Sequence, residues 1–320
     1  MDTLSLWFGQ MHTALFEGVV QPLLFALGGA AYLEDAYLGT AWLMLGLVQI
    51  AILALVLAPL QAFWPDEPVQ PSAQRRRAVA VDVLYTLIHR LGLFRVALFF
   101  TLEPLWNALF GWSAVAGLDG WQLDQWLAPL WPGVTDTALF GFVLYLVVLD
   151  FVDYWFHRGQ HRLRWWWALH AVHHSQQHLT VWSDNRNHLL DDVLRDVVLV
   201  LVARAIGVAP AQFMLLVVLG QMIESLSHAN LRWHWGPWLR YLLVSPRYHR
   251  QHHIMAVEPG TWGHNYAVLL PIWDVLLGTA RFAAPTAPSG IADQQQGRDN
   301  YGQGFWAQQW LGLKRLAARE

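Results

Sequence analysis

Long uncharged stretches set the pattern of this chain. Residues 39–60, GTAWLMLGLVQIAILALVLAPL, carry no charge, and a helix needs about 20 such residues to cross a bilayer core. Residues 18–33 form a slightly shorter apolar run, with no basic segment before it and no small-residue cleavage site after it, so it does not read as a signal peptide. Residues 78–112 are apolar but interrupted by Asp82, His89, Arg90, Arg95 and Glu103, which predicts an internally packed or broken membrane segment. Residues 136–156 are apolar from Thr137 to Leu149 and then carry Asp150 and Asp153. Runs at 190–206 and 211–228, separated by GVAP, predict a helical hairpin, because Pro210 favours a new start. Near the end, FWAQQWLGLKRLA at 305–317 has the pattern of a short amphipathic helix lying in a membrane interface.

Composition agrees with that pattern. Hydrophobic residues make up 55% of the 320 and charged residues 13%, against about 25% charged in ordinary soluble domains. The mean hydropathy is +0.29. These values exclude a disordered chain and argue against a soluble enzyme; they predict an all-α integral membrane helical bundle. The net charge of −3 leaves no basic footprint for nucleic acid. Cysteine is absent, which excludes disulfides, thiolate haem, cysteine-held iron–sulfur clusters and Cys-type zinc sites. Trp, at 20, and His, at 15, are in excess. Tryptophan suits membrane interfaces, whereas the histidines need another explanation.

Orientation follows from arginine, since Lys314 is the single lysine. Clusters at Arg75, Arg76 and Arg77, at Arg158, Arg162 and Arg164, and at Arg232, Arg240, Arg247 and Arg250 each follow an apolar run, and the links 34–38 and 113–135 lack Lys and Arg. The positive-inside rule then places both termini and the histidine-rich segments on the cytoplasmic side. The arginine bias points to a bacterial cytoplasmic membrane.

All histidines except His12 and His89 lie between 157 and 264. His157 and His161 are spaced i,i+4, on one helix face. His170, His173 and His174 form HAVHH, and His249, His252 and His253 form HRQHH. Adjacent residues on a helix diverge by about 100°, so one triplet can serve two neighbouring ions. A lone histidine is more often a satisfied polar group than a ligand. Three spaced clusters reverse that expectation, because each unpartnered buried imidazole costs about 1–3 kcal/mol. Imidazole suits iron, zinc, copper and nickel, and this many ligands fits two ions rather than one. His12 and His89 read as structural, and Trp165, Trp166 and Trp167 as interface anchors.

The pattern HxxxH, HxxHH, HxxHH resembles the fatty acid hydroxylase/sterol desaturase superfamily of membrane di-iron proteins. The likeness runs from about Leu139 to Phe282. Arg186 and His188 are similar to its RxH, His228 and Asn230 to its HxN, SPRYHRQHH to its third box, and HNYAVLLPIWDVLLGTARF at 264–282 to its closing segment. Gly290 and Ile291 resemble the alkylglycerol-monooxygenase-like and bacterial sterol desaturase branch. Ala267, His264 and Val275 depart from the family's usual residues, and His178 has no counterpart there.

The resemblance implies an N-terminal transmembrane region (1–135), a catalytic region (136–282) with a cytoplasmic metal-binding cap, and a cytoplasmic tail (283–320). It implies two iron ions held by His157, His161, His170, His173, His174, His228, His249, His252 and His253, with dioxygen as co-substrate. The reaction implied is hydroxylation, with desaturation as the lesser alternative, of a fatty acyl, sterol or ether lipid. Electrons would come from a separate donor or a reduced diffusible cofactor. His188 and His264 are further candidates for the metal site. Asp153 lies i−4 from His157, Glu224 i−4 from His228, and Asp191 and Asp192 i+3 and i+4 from His188. Each is therefore a candidate to orient a ligand, with ion pairing to arginine as the alternative. Two other classes compete. A zinc hydrolase would want a carboxylate within the motif, as in HExxH, and neither HRGQH nor HAVHH supplies one. A zinc or iron transporter, or a metal-binding membrane protein, would place ligands near the bilayer midplane.

Overall fold

The computed structural model describes residues 2–318 except 70, 118–119, 256–262, 286, 296, 298–300 and 302–303. The described residues are all-helical and form no strand; one isolated bridge pairs Ile254 with Ser289.

Helix α1, Asp2–Leu15, runs through a π-turn at Phe16–Val20 into Gln21–Ala26. A turn at Leu27 and Gly28 then cuts the apolar run at 18–33, which is therefore not one continuous span. Helix α2, Leu33–Ile52, continues through a second π-turn, Leu53–Leu57, to Ala58–Phe63. Helices α3, Ala73–Arg90, and α4, Leu93–Val115, follow. The interrupted run at 78–112 is thus a broken segment, bent by 51° where Gly92 takes a left-handed conformation.

The second half of the chain contains α5, Ala138–Arg162, α6, Arg164–His174, α7, Leu189–Ile206, and α8, Pro210–His228. Then come α9, Pro246–His252, and α10, Phe305–Ala318. Side-chain caps fix several starts: Thr137 accepts from Phe140 N, and Ser245 from Tyr248 N. Pro246 suits the first turn of α9, whose missing N–H would be unpaired in any case.

Among the described residues, three helical segments are long and apolar enough to cross a membrane: Ala30–Phe63, Ala138–Arg162 and Pro210–His228, with the bent α3–α4 pair a fourth if counted as one. Their outer faces expose Leu55, Leu139, Val143 and Leu215, as lipid-facing surfaces do. The run at 190–206 does not qualify. Asp191, Asp192, Arg195, Asp196 and Arg204 lie on α7, and Arg195 turns inward to carboxylates on α5 and α8. The predicted hairpin of α7 and α8 is present, turning at residues 207–209.

Helices α5 and α8 finish at the same end of the bundle, where α7 begins. Tyr145, Leu149, Ala203, Ile206 and Leu216 form the core between these three. Helix α2 crosses α3 so closely that a Cβ on Gly46 would lie 1.6 Å from the Arg90 carbonyl oxygen. Two buried ion pairs, Arg90 with Asp184 and Arg186 with Asp82, fasten α3 to the loop 175–188. The tail helix α10, predicted to lie in the interface, keeps Trp306 and Trp310 exposed but buries Gln308, Gln309 and Gly312. It packs along α6, where the Gln309 amide donates to Tyr85 Oη and the Asn187 carbonyl.

Candidate metal centre

The last two turns of α5 place His157 and His161 one above the other, and α6 returns at once because Leu163 is extended. His170, His173 and His174 follow on α6, His228 ends α8, and α9 brings His249, His252 and His253. All nine meet at one end of the bundle, buried except for half-buried His161.

They divide into two groups, in each of which the candidate ligand atoms lie within 4.8 Å of one another. The first contains His157, His161, His170, His174 and His252, and the second His173, His228, His249 and His253. Each i,i+4 pair stays together, while the third imidazole of each triplet, His173 or His252, crosses to the other group. Helical divergence produces this partition.

The chemistry of the donors fits metal ions. In the first group the Nε2 atoms of all five histidines are buried without a protein partner. In the second, His228 Nε2 lies 3.1 Å from His173 Nε2 and 2.9 Å from His249 Nε2, and His249 Nε2 lies 3.0 Å from His253 Nε2. Four nitrogens facing one another this way cannot all be paired by their own protons. A shared cation would satisfy both groups, and an all-nitrogen donor set suits iron, zinc, copper or nickel. Burial, with repulsion among the rings, holds His170, His173, His174, His249, His252 and His253 well below the ordinary imidazole pKa. They are therefore neutral and ready to ligate at pH 7.

Three of the opposite ring nitrogens are held by backbone carbonyls. His157 Nδ1 donates to the Tyr266 carbonyl at 2.8 Å, His252 Nδ1 to the His264 carbonyl at 2.8 Å, and His228 Nδ1 to the Glu224 carbonyl at 2.7 Å. His170 Nδ1 faces Asp191 Oδ2 at 3.4 Å. The closing segment holds those carbonyls in place. Asp274 accepts from Tyr266 N, Ala267 N, the Tyr248 hydroxyl and the Thr279 hydroxyl. Asp150 accepts from Leu269 N, Leu270 N and the Trp273 indole.

The further candidates lie elsewhere. Asp153 and Glu224 do not turn their carboxylates to His157 and His228; both bind Arg195. Asp153 takes its Nε and Nη2 at 2.8 and 2.9 Å, and Glu224 takes Nη2 at 2.6 Å. His188 caps α7, accepting from Leu190 N, and its Nε2 donates to the Gln309 carbonyl. It joins neither group, so Asp191 and Asp192 cannot orient it as a ligand. Asp191 instead accepts from Gln160 and Trp166 beside His170, and Asp192 lies 3.3 Å from His89. The His264 ring donates to the Gln251 carbonyl, outside both groups. His178 is half-buried and His234 exposed, both away from the groups. His12 donates to the Tyr37 carbonyl. Sequence reasoning missed Arg195 and the carbonyls of Tyr266 and His264. Arg195, a charge inside an apolar run, was the available signal.

Residues 142–279, which include all nine histidines, match the family model of the fatty acid hydroxylases. This segment is similar to a fatty acid hydroxylase domain. The chain is 30% identical over 208 residues to the ornithine lipid hydroxylase OlsE of Rhizobium tropici, covering 65% of this chain and 58% of that protein. It is 30% identical over 131 residues to the alkylglycerol monooxygenase of Xenopus tropicalis, covering 41% and 28%. It is 28% identical over 169 residues to the very-long-chain aldehyde decarbonylase GL1-6 of Oryza sativa subsp. indica, covering 48% and 24%. The matches thus span little more than half of the first relative and about a quarter of the other two. No solved structure matches the chain. In this segment the histidines face a cavity between α5, α7 and α8 that Asp153, Arg195 and Glu224 also line.

Proposed function

We propose that the protein is a membrane-bound, iron-dependent oxygenase that hydroxylates a C–H bond of a lipid-like substrate, with two irons in the two histidine groups. On this reading residues 1–135 anchor the chain, 136–282 carry the chemistry, and 283–320 form a tail that braces α6, with the site on the cytoplasmic side. The supporting observation is the partition of the nine imidazoles, which offers two adjacent nitrogen-only sites from helix ends. The relatives named hydroxylase and monooxygenase favour hydroxylation over desaturation.

Bound iron would supply dioxygen activation. The overall change breaks one C–H bond and forms C–O–H; the second oxygen atom leaves as water, consuming two protons and two electrons from a separate redox protein or a reduced diffusible cofactor. The chain's own residues orient the imidazoles through Tyr266, His264 and Glu224 carbonyls and keep the rings neutral by burial. Burial of His157, His170, His174 and His252 limits water at the first group.

A metal transporter would need its ligands on a path through the bilayer, whereas these lie at helix ends. Metal analysis of the purified protein, with mass spectrometry of lipids from cells with and without it, tests the proposal. About two irons per chain and lipids heavier by one oxygen are expected. Exchangeable zinc with unchanged lipids would overturn it.

A further inference from the structure

Outside the metal centre lies a larger, half-open cavity of about 650 Å³, within the size range of small-molecule sites. Three segments wall it: α3 supplies Arg77, the loop 175–188 supplies His178 and Arg186, and the tail supplies Gln294 and Gln308. It shares no lining residue with the cavity that the histidine groups face. The oxygenase reading therefore leaves it without a task, as it does His178, which joins neither metal group.

The charge of this cavity is one-sided. Among the described residues, no carboxylate lines it, whereas two guanidinium groups do. Arg186 is buried and bonds once each to Asp82 Oδ1, the Ser175 hydroxyl and the Ala78 carbonyl. Two of a guanidinium's five N–H donors thus find no acceptor among the described residues. Asp82 offsets the Arg186 charge and spends its other oxygen on Gln176 and Ser183. Arg77 has no hydrogen bond or ion pair among the described residues. One positive charge is left over. Because Arg186 reaches the carbonyl of Ala78, the neighbour of Arg77, the two arginines share one wall.

The rest of the polar lining is mostly amide. Gln176, Gln294 and Gln308 are held by protein partners, but Gln74 and Gln177 are unengaged among the described residues. A carboxamide both donates and accepts, which suits a hydroxyl group. Guanidinium groups bind phosphoryl oxygens readily, and a tetrahedral phosphoryl group accepts from several directions where a carboxylate offers two oxygens in one plane. The cavity is far larger than a bare phosphate, so the phosphoryl group would carry a body.

We propose that this cavity binds an organic phosphate with a hydroxyl-bearing body, its phosphoryl group at Arg77 and Arg186 and its hydroxyls among the glutamine amides and His178. A soluble sugar phosphate and the head of a glycerol- or inositol-bearing phospholipid share this chemistry. Occupancy ties the tail to α3 and to the loop that begins one residue after His174. The site stands whether or not the protein is an oxygenase.

Glucose 6-phosphate and a short-chain phosphatidylglycerol, titrated separately into the purified chain in uncharged detergent, test this, with glucose as the control. At least one of the two phosphates should saturate and be displaced by inorganic phosphate, while glucose should not bind; the tighter of the two identifies the source. Arg77→Gln should weaken binding about tenfold, as loss of one charge-assisted hydrogen bond does. Arg76→Gln, next to it but outside the lining, should leave binding unchanged. Ala80→Trp, which fills the cavity without altering its charge, should also block binding. Failure of both phosphates to bind would overturn the proposal, as would equal weakening by Arg76→Gln and Arg77→Gln. Binding that survives both Arg77→Gln and Ala80→Trp would place the ligand elsewhere and overturn it too.

Discussion

His228 Nε2 lies 2.9 Å from His249 Nε2, although one residue ends α8 and the other sits on α9 beyond an extended loop. The Glu224 carbonyl holds the His228 ring through Nδ1, so its Nε2 carries no proton for His249, and a shared ion is the economical way to hold both. His249→Ala should therefore remove iron from the second group while the first retains its five donors. Metal analysis should show at least one iron lost per chain, with the protein still inserted in membranes. Full retention of iron would take His249 out of the ligand set.

The orienting acids separate into two kinds. Asp191 faces His170, so Asp191→Asn should weaken metal retention, within the about 10–100-fold range usual for such partners. Asp153 touches Arg195 instead, and Asp153→Asn should leave metal content unchanged. Chelator competition on both variants distinguishes them; equal losses would show that Asp153 also supports a ligand.

Acid should destabilise the metal-free protein. The buried histidines outside the spans titrate well below 6.5 in the folded state, so the unfolded chain binds more protons there. Stability from these groups is complete above pH 6.5 and is lost as pH falls below it. Thermal unfolding in detergent from about pH 7.5 to about pH 5 should show a falling midpoint. A flat profile would mean that the rings are hydrated.

Gly46→Ala should be severely destabilising, because its Cβ would overlap the Arg90 carbonyl oxygen. A cost of about 3 kcal/mol or more is expected, beyond ordinary overpacking, since backbone must shift. Gly220→Ala, which meets nothing within 4 Å, should be mild; denaturation of the pair gives the comparison.

Both ends of the bundle formed by α5, α7 and α8 can carry reporters. Glu67 reaches Arg250 and Asn230 near the histidines, whereas Trp121 N donates to the Ala205 carbonyl at the far end of α7. Tags inserted at residues 68 and 290 should report the cytoplasm, and one at 122 the opposite side. A reversed result at 290 would invalidate the orientation.

The nine imidazoles were legible because their grouping is local: helical spacing fixes which rings share a face before any tertiary contact forms. The same logic failed for Asp153 and Glu224. Their spacing pointed to histidines one turn away, but Arg195 offers a full charge from a helix 42 and 29 residues distant. His188 followed a ligand-like motif, yet the Gln309 carbonyl, 121 residues on, takes its proton.

The crossing of His173 and His252 between groups has a cooperative consequence. Each of the two triplet-bearing segments contributes donors to both sites, so an ion entering one site fixes the backbone that presents donors to the other. The first ion thus lowers the ordering cost for the second. Iron should load in an all-or-none manner, with half-filled protein scarce even when iron is limiting.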